Sequence, residues 1–154
     1  MKKKIFILII FFFLSSCGYE AIHSKKNSAT YDFSINEISF IGDRDINVKI
    51  KEILNNYTLT QKNKKFTLKI TSKTEKVELA KDMSGNSTSF KKAITVNVEV
   101  FMENKLKNNL QIIESFNYNN NNDKFELKRY EKEITNNLAE TVSEKLIFRL
   151  SNIQ

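Results

Sequence analysis

Residues 89–102 read SFKKAITVNVEVFM. Phe90, Ile94, Val96, Val98, Val100 and Met102 alternate with Lys91, Ala93, Thr95, Asn97 and Glu99, so an extended chain here has one apolar and one polar side. The alternation predicts a strand of about 14 residues, or roughly 46 Å, where ordinary strands run to about 5–6 residues. A strand this long must overhang any helix layer of normal size.

On the N-terminal side, Asp82–Ser87 reads as a turn, with Gly85-Asn86 suited to positive φ. Before it, Phe66, Leu68, Ile70, Ser72 and Thr74 share one parity, whereas Val77 and Leu79 fall on the other. That change predicts a bulge near Glu75-Lys76. On the C-terminal side, residues 104–109 read as a second turn, and Leu110, Ile112 and Tyr118 mark a shorter last strand.

Farther out lie two helices and a first strand. Phe33 and Ile35, then Ile38 and Phe40, predict a strand whose alternation slips by one near Asn36-Glu37. Asp43 suits an N-cap, and Ile46, Ile50, Ile53, Leu54 and Tyr57 form one helical face after it. Residues 60–65 read as a polar loop. Asp123 is a second N-cap, opening a long helix over about residues 124–150. Its stripe is read as Leu127, Tyr130, Ile134, Leu138, Val142, Leu146 and Leu150, with Phe125, Thr141, Ile147 and Phe148 beside it. Glu126, Glu131, Glu133, Glu140 and Glu144 read as its solvated face.

The order is β-α-β-β-β-α. Alternating strands and single-faced helices predict an α+β two-layer sandwich, with one four-stranded, mostly antiparallel sheet and both helices packed on one face. The last three strands are antiparallel. The relation of the first to the second is left open between parallel neighbours and a separated pair.

Residues 1–16 form a different segment. Three lysines precede an apolar run from Ile5 to Leu14, too short for the roughly 18–20 residues that cross a bilayer, so 1–16 reads as a removable export signal. Leu14-Ser15-Ser16-Cys17 resembles a bacterial lipobox, which implies cleavage before Cys17 and its lipidation. Cys17 is the only cysteine, so it has no disulfide partner within the chain. Gly18, where an aspartate would imply retention in the inner membrane, implies the outer membrane. Residues 17–30 read as the lipidated N-terminus and a flexible tether, and residues 31–154 as a single domain.

Three of the 25 basic residues lie in the signal, leaving 22 against 18 acidic ones. A balance this mild gives no reason to expect a nucleic-acid partner. Catalytic groups are scarce. His23, the one histidine, lies in the tether, so no Ser–His–acid set can be drawn from the ordered parts. There is no HExxH and no Gly-rich phosphate loop. The residue types suit a binding or scaffold protein, with no cofactor, no metal and no enzymatic activity expected.

Cys17-Gly18-Tyr19, the long hairpin, Phe116-x-Tyr118-Asn119 before a long last helix, and the Leu138-Ala139 to Leu150 stretch resemble the LPS-assembly lipoproteins of the LptE (RlpB) family. The resemblance implies a periplasm-facing protein, lipid-anchored in the inner leaflet of the outer membrane. It implies that the protein helps an LptD-type β-barrel to fold, plugs it, and takes part in carrying lipopolysaccharide to the outer leaflet. It also implies lipopolysaccharide contact by basic residues near a hairpin, for which Lys81, Lys91 and Lys92 are the nearest candidates. The plainer reading of these lysines is solubilising charge on an overhanging strand. Two other functions fit the same outline: an accessory lipoprotein of another outer-membrane machine, such as barrel insertion, or a periplasmic lipid carrier.

Overall fold

The computed structural model describes residues 31–59 and 62–153. The export signal, Cys17, the tether and His23 lie outside the described residues, as do two residues of the 60–65 loop.

The elements are β1 (Phe33–Gly42), α1 (Arg44–Leu54) with a short 3₁₀ turn (Asn55–Tyr57), β2 (Lys64–Lys81), β3 (Ser87–Met102), β4 (Lys105–Asn119) and α2 (Lys124–Ser151). The sheet order is β1-β2-β3-β4. β1 and β2 are parallel neighbours, and β2, β3 and β4 run antiparallel. α1 lies beside β1, α2 lies over β3 and β4, and the two helices touch. The expected two-layer α+β sandwich is therefore the observed one.

The core lies between the sheet and the helices. Even-numbered residues of β2 and β3, from Phe66 to Ile70 and from Phe90 to Val100, are buried apart from the half-buried Lys92. They meet Ile46, Ile50 and Leu54 of α1 and Val142, Leu146 and Leu150 of α2, all fully buried. In β1 the register shifts between Ile35 and Glu37, as the slipped alternation predicts, so Phe33 and Ile35 before the shift and Ile38 and Phe40 after it all reach the core.

Each helix starts on the aspartate read from the sequence. Asp43 accepts from the backbone N–H groups of Asp45 and Ile46, and Asp123 from those of Phe125 and Glu126. Gly42, before the first cap, has φ +101. A Cβ there would stand 2.0 Å from the Ser72 carbonyl oxygen, so the β1–α1 corner closes on β2 only with glycine.

Three expectations fail. No bulge occurs at Glu75-Lys76: the β2–β3 register is unbroken from Thr67↔Phe101 to Glu78↔Phe90 and shifts only beyond Glu78. Val77 and Leu79 keep their parity and face solvent, 50% and 48% exposed. Both lie on the outer side of the sheet, which neither helix covers, so apolar positions there do not have to follow the core. Residues 104–109 are not a turn. Glu103 and Asn104, both at positive φ, close a two-residue hairpin, and β4 begins at Lys105.

The stripe of α2 is also different. Phe125, Tyr130 and Phe148 are exposed, while Thr135, Ala139, Ser143 and Ile147 are buried. The helix turns small residues inward where it meets two neighbours, and the hydroxyls of Thr135 and Ser143 are satisfied by the carbonyls four residues back.

From Lys73 through Ser89 no residue is buried. β2, at 18 residues, spans about 59 Å, against about 42 Å for the 28 residues of α2. The far end of the β2–β3 hairpin thus projects past the helix layer.

Candidate functional site

The hairpin leaves the core at a cluster of polar side chains on the inner side of the sheet. Unbroken register places Lys76 opposite Lys92 and Lys92 opposite Phe116, with Glu78, Phe90 and Tyr118 aligned in the next row. Lys76, Lys92, Phe90 and Tyr118 therefore share one side, and α2 brings Glu131 onto it.

Glu131 Oε1 accepts from Lys76 Nζ at 2.6 Å and from the Tyr118 hydroxyl at 2.7 Å. Lys92 Nζ donates to the Glu131 carbonyl oxygen at 3.0 Å. The Lys76 ammonium also stands 4.0 Å from the Phe90 ring centroid, a favourable cation–π distance. Phe90, Tyr118 and Tyr130 form an aromatic row beside it, with centroids 5.6 and 6.1 Å apart. One residue of α2 thus holds three strands: its carboxylate binds β2 and β4, and its backbone carbonyl binds β3.

The electrostatics follow from that geometry. Burial alone pushes the Glu131 carboxyl up, but the hydrogen bonds from Lys76 and Tyr118 and the charges of Lys76 and Lys92 outweigh it and hold it below the usual carboxylate value. Burial lowers the Lys92 ammonium, offset in part by the charges of Glu131 and Asp43. Burial and the hydrogen bond to Glu131 push the Tyr118 phenol far above its ordinary value, so it remains a donor.

The three lysines read as a basic set do not form one patch. Lys92 points inward and is held by α2. Lys91 lies on the opposite side of the sheet, across from Val77. Lys81 sits near the hairpin tip, 3.1 Å from Glu78 Oε2. The tip itself is a tight acidic turn: Asp82 Oδ1 accepts from the backbone N–H groups of Ser84 and Asn86, which hold its carboxyl down. Glu131, placed with the solvated glutamates by its sequence, is instead four-fifths covered. It stands four residues from both Leu127 and Thr135, two buried positions, and that spacing was the available signal.

Among the described residues, no three His, Cys, Asp or Glu side chains lie close enough to hold a metal ion, and no helix is long and apolar enough to cross a membrane. The outer side of the sheet is mixed: Thr71, Lys73, Thr95, Asn97 and Gln111 are polar, with Gln111 Nε2 donating to Asn97 Oδ1 at 3.0 Å, and Val77, Leu79 and Ile113 are exposed apolar residues among them.

No protein-family model matches the chain, and no curated protein matches it by sequence. Solved structures do match by shape. Rare lipoprotein B from Shewanella oneidensis superposes with a TM-score of 0.55 at 16% identity, covering 76% of this chain and 98% of its own. The chain shares the fold of rare lipoprotein B. A minor lipoprotein from Acinetobacter baumannii matches at a TM-score of 0.56 and 14% identity, over 75% of this chain and 90% of its own. Lipoprotein B from Nitrosomonas europaea matches at 0.54 and 9%, over 80% and 87%. The match takes in most of each of these three structures.

Proposed function

We propose that this chain is an outer-membrane lipoprotein of the LptE (RlpB) type, which assists assembly of an LptD-type β-barrel, plugs it, and supports transport of lipopolysaccharide to the outer leaflet. The observation that carries this reading is the rare-lipoprotein-B fold over 76% of the chain, joined to a lipobox-like stretch ending at Cys17. Export and lipidation place the domain at a membrane, and several acyl chains make such an anchor durable. The polar part of the outer sheet side, around Thr71, Asn97 and Gln111, suits contact with a polar barrel lumen. The protein works by binding, with no cofactor and no reaction of its own.

Depletion of the protein tests the reading. Surface lipopolysaccharide should fall, and the lipopolysaccharide-export barrel should fail to fold. Tagged protein should bring down that barrel and not the barrel-insertion machinery. Unchanged barrel folding and unchanged surface lipopolysaccharide would overturn the proposal.

A further inference from the structure

β4 is an edge strand. Its backbone parity is fixed by one bond and one register. Asn120 N donates to the Thr88 carbonyl at 2.8 Å, and the β3–β4 register runs without a shift from Ser89↔Asn119 to Val100↔Asn108. Even-numbered residues of β4 therefore turn their N–H and C=O groups to β3, and odd-numbered residues turn theirs away. Arg149 agrees with this: its Nη1 donates to the Gln111 carbonyl at 2.8 Å from the outside. The N–H and C=O groups of Ile113, Ser115 and Asn117 then form an open ladder.

Edges of this kind are normally blunted by charge, proline or a bulge. β1, the other edge, has a bulge at Asn36. β4 has none from Asn108 to Asn119, and the only charge in that stretch is Glu114, which is paired with Lys145. Beside the edge, on the inner side, runs a groove of about 200 Å³ lined by Phe116, Tyr130, Ile134, Leu138 and Thr141, with Glu133 among them. Phe116 and Tyr130 are 46% and 43% exposed. Glu133 also lines the neighbouring polar hollow and has no ion pair among the described residues. An open strand edge next to an apolar groove against a helix is the arrangement that accepts an added strand, in which backbone bonds supply affinity and alternate side chains fill the groove.

We propose that β4 takes an extended segment of a partner protein as a fifth strand. That segment carries apolar residues at every second position, facing α2, and a lysine or arginine on the same side to meet Glu133. The inference stands whether or not the partner is the barrel named above.

The test uses the full-length protein and a synthetic peptide of about nine residues that alternates isoleucine and threonine, with one isoleucine replaced by lysine. Amide hydrogen exchange at Ile113, Ser115 and Asn117 should be fast in the free protein and slow by at least about tenfold with peptide. Ser115→Pro removes an outward N–H and leaves the ladder to β3 intact, so peptide affinity should fall by at least about tenfold. Phe116→Lys, at an exposed position, should weaken binding without touching the backbone, which covers the case where the proline variant does not fold. Exchange at the three amides that peptide leaves unchanged would overturn the proposal. So would protection that rises with protein concentration alone, because a second copy of the chain would then be the occupant.

Discussion

Glu131 meets donors from three strands through two of its oxygens. Removing its carboxylate leaves the Tyr118 hydroxyl and the Lys76 ammonium unmatched on a half-buried surface, while Lys92 keeps its bond to the backbone carbonyl. Glu131→Ala should therefore cost about 1–3 kcal/mol in urea unfolding. Its pH dependence has a definite sign. A carboxyl held below its unfolded value adds stability above that value and loses it as the pH falls through the folded one. Acidification from about pH 7 to about pH 3 should lower the urea midpoint of the parent more than that of Glu131→Gln. Equal losses would show that the carboxylate does not hold the hairpin. No local signal in the sequence marks Lys76 and Lys92 as members of this cluster. They are ordinary lysines until register aligns residues that lie 16 apart.

Among the elements, the β1–α1 corner is the most tightly specified. Gly42 and Gly85 both have positive φ, but a Cβ at Gly42 meets the Ser72 backbone and one at Gly85 meets nothing within 4 Å. Gly42→Ala should destabilise by more than about 3 kcal/mol, combining strain with a backbone clash, and Gly85→Ala by about 1–2 kcal/mol. Thermal unfolding of the two variants checks the order, and equal shifts would contradict it. The strands and both caps were legible in the sequence because period-two alternation and Asp at a helix start are local signals. The false bulge at Glu75-Lys76 and the misplaced Tyr130 share one cause. Each supposes that an apolar side chain must be buried, but Val77 points to the side of the sheet that no helix covers and α2 turns Tyr130 outward. Glu103-Asn104 was missed because neither residue is glycine, though asparagine tolerates positive φ well.

For the whole molecule, the hairpin end and the core are separable. Nothing between Lys73 and Ser89 is buried, so the projecting end adds little to folding. Replacing residues 80–88 with a two-residue Asn-Gly turn should move Tm by less than about 3 °C. A fall of more than about 10 °C would make the projection part of the core. The stability of the domain then rests on the single layer of apolar side chains between sheet and helices.

That single layer has an evolutionary consequence. On β2 and β3 about every second residue faces the helices, and the others need only remain soluble. Even the inward positions are filled by Ile, Val and Leu, which exchange at modest cost where volume is kept. Descent can therefore rewrite most letters of such a chain and leave its backbone path in place. Kinship in this fold is carried by the spacing of apolar positions, by Asp before each helix, and by one glycine at a corner with no room for a methyl group.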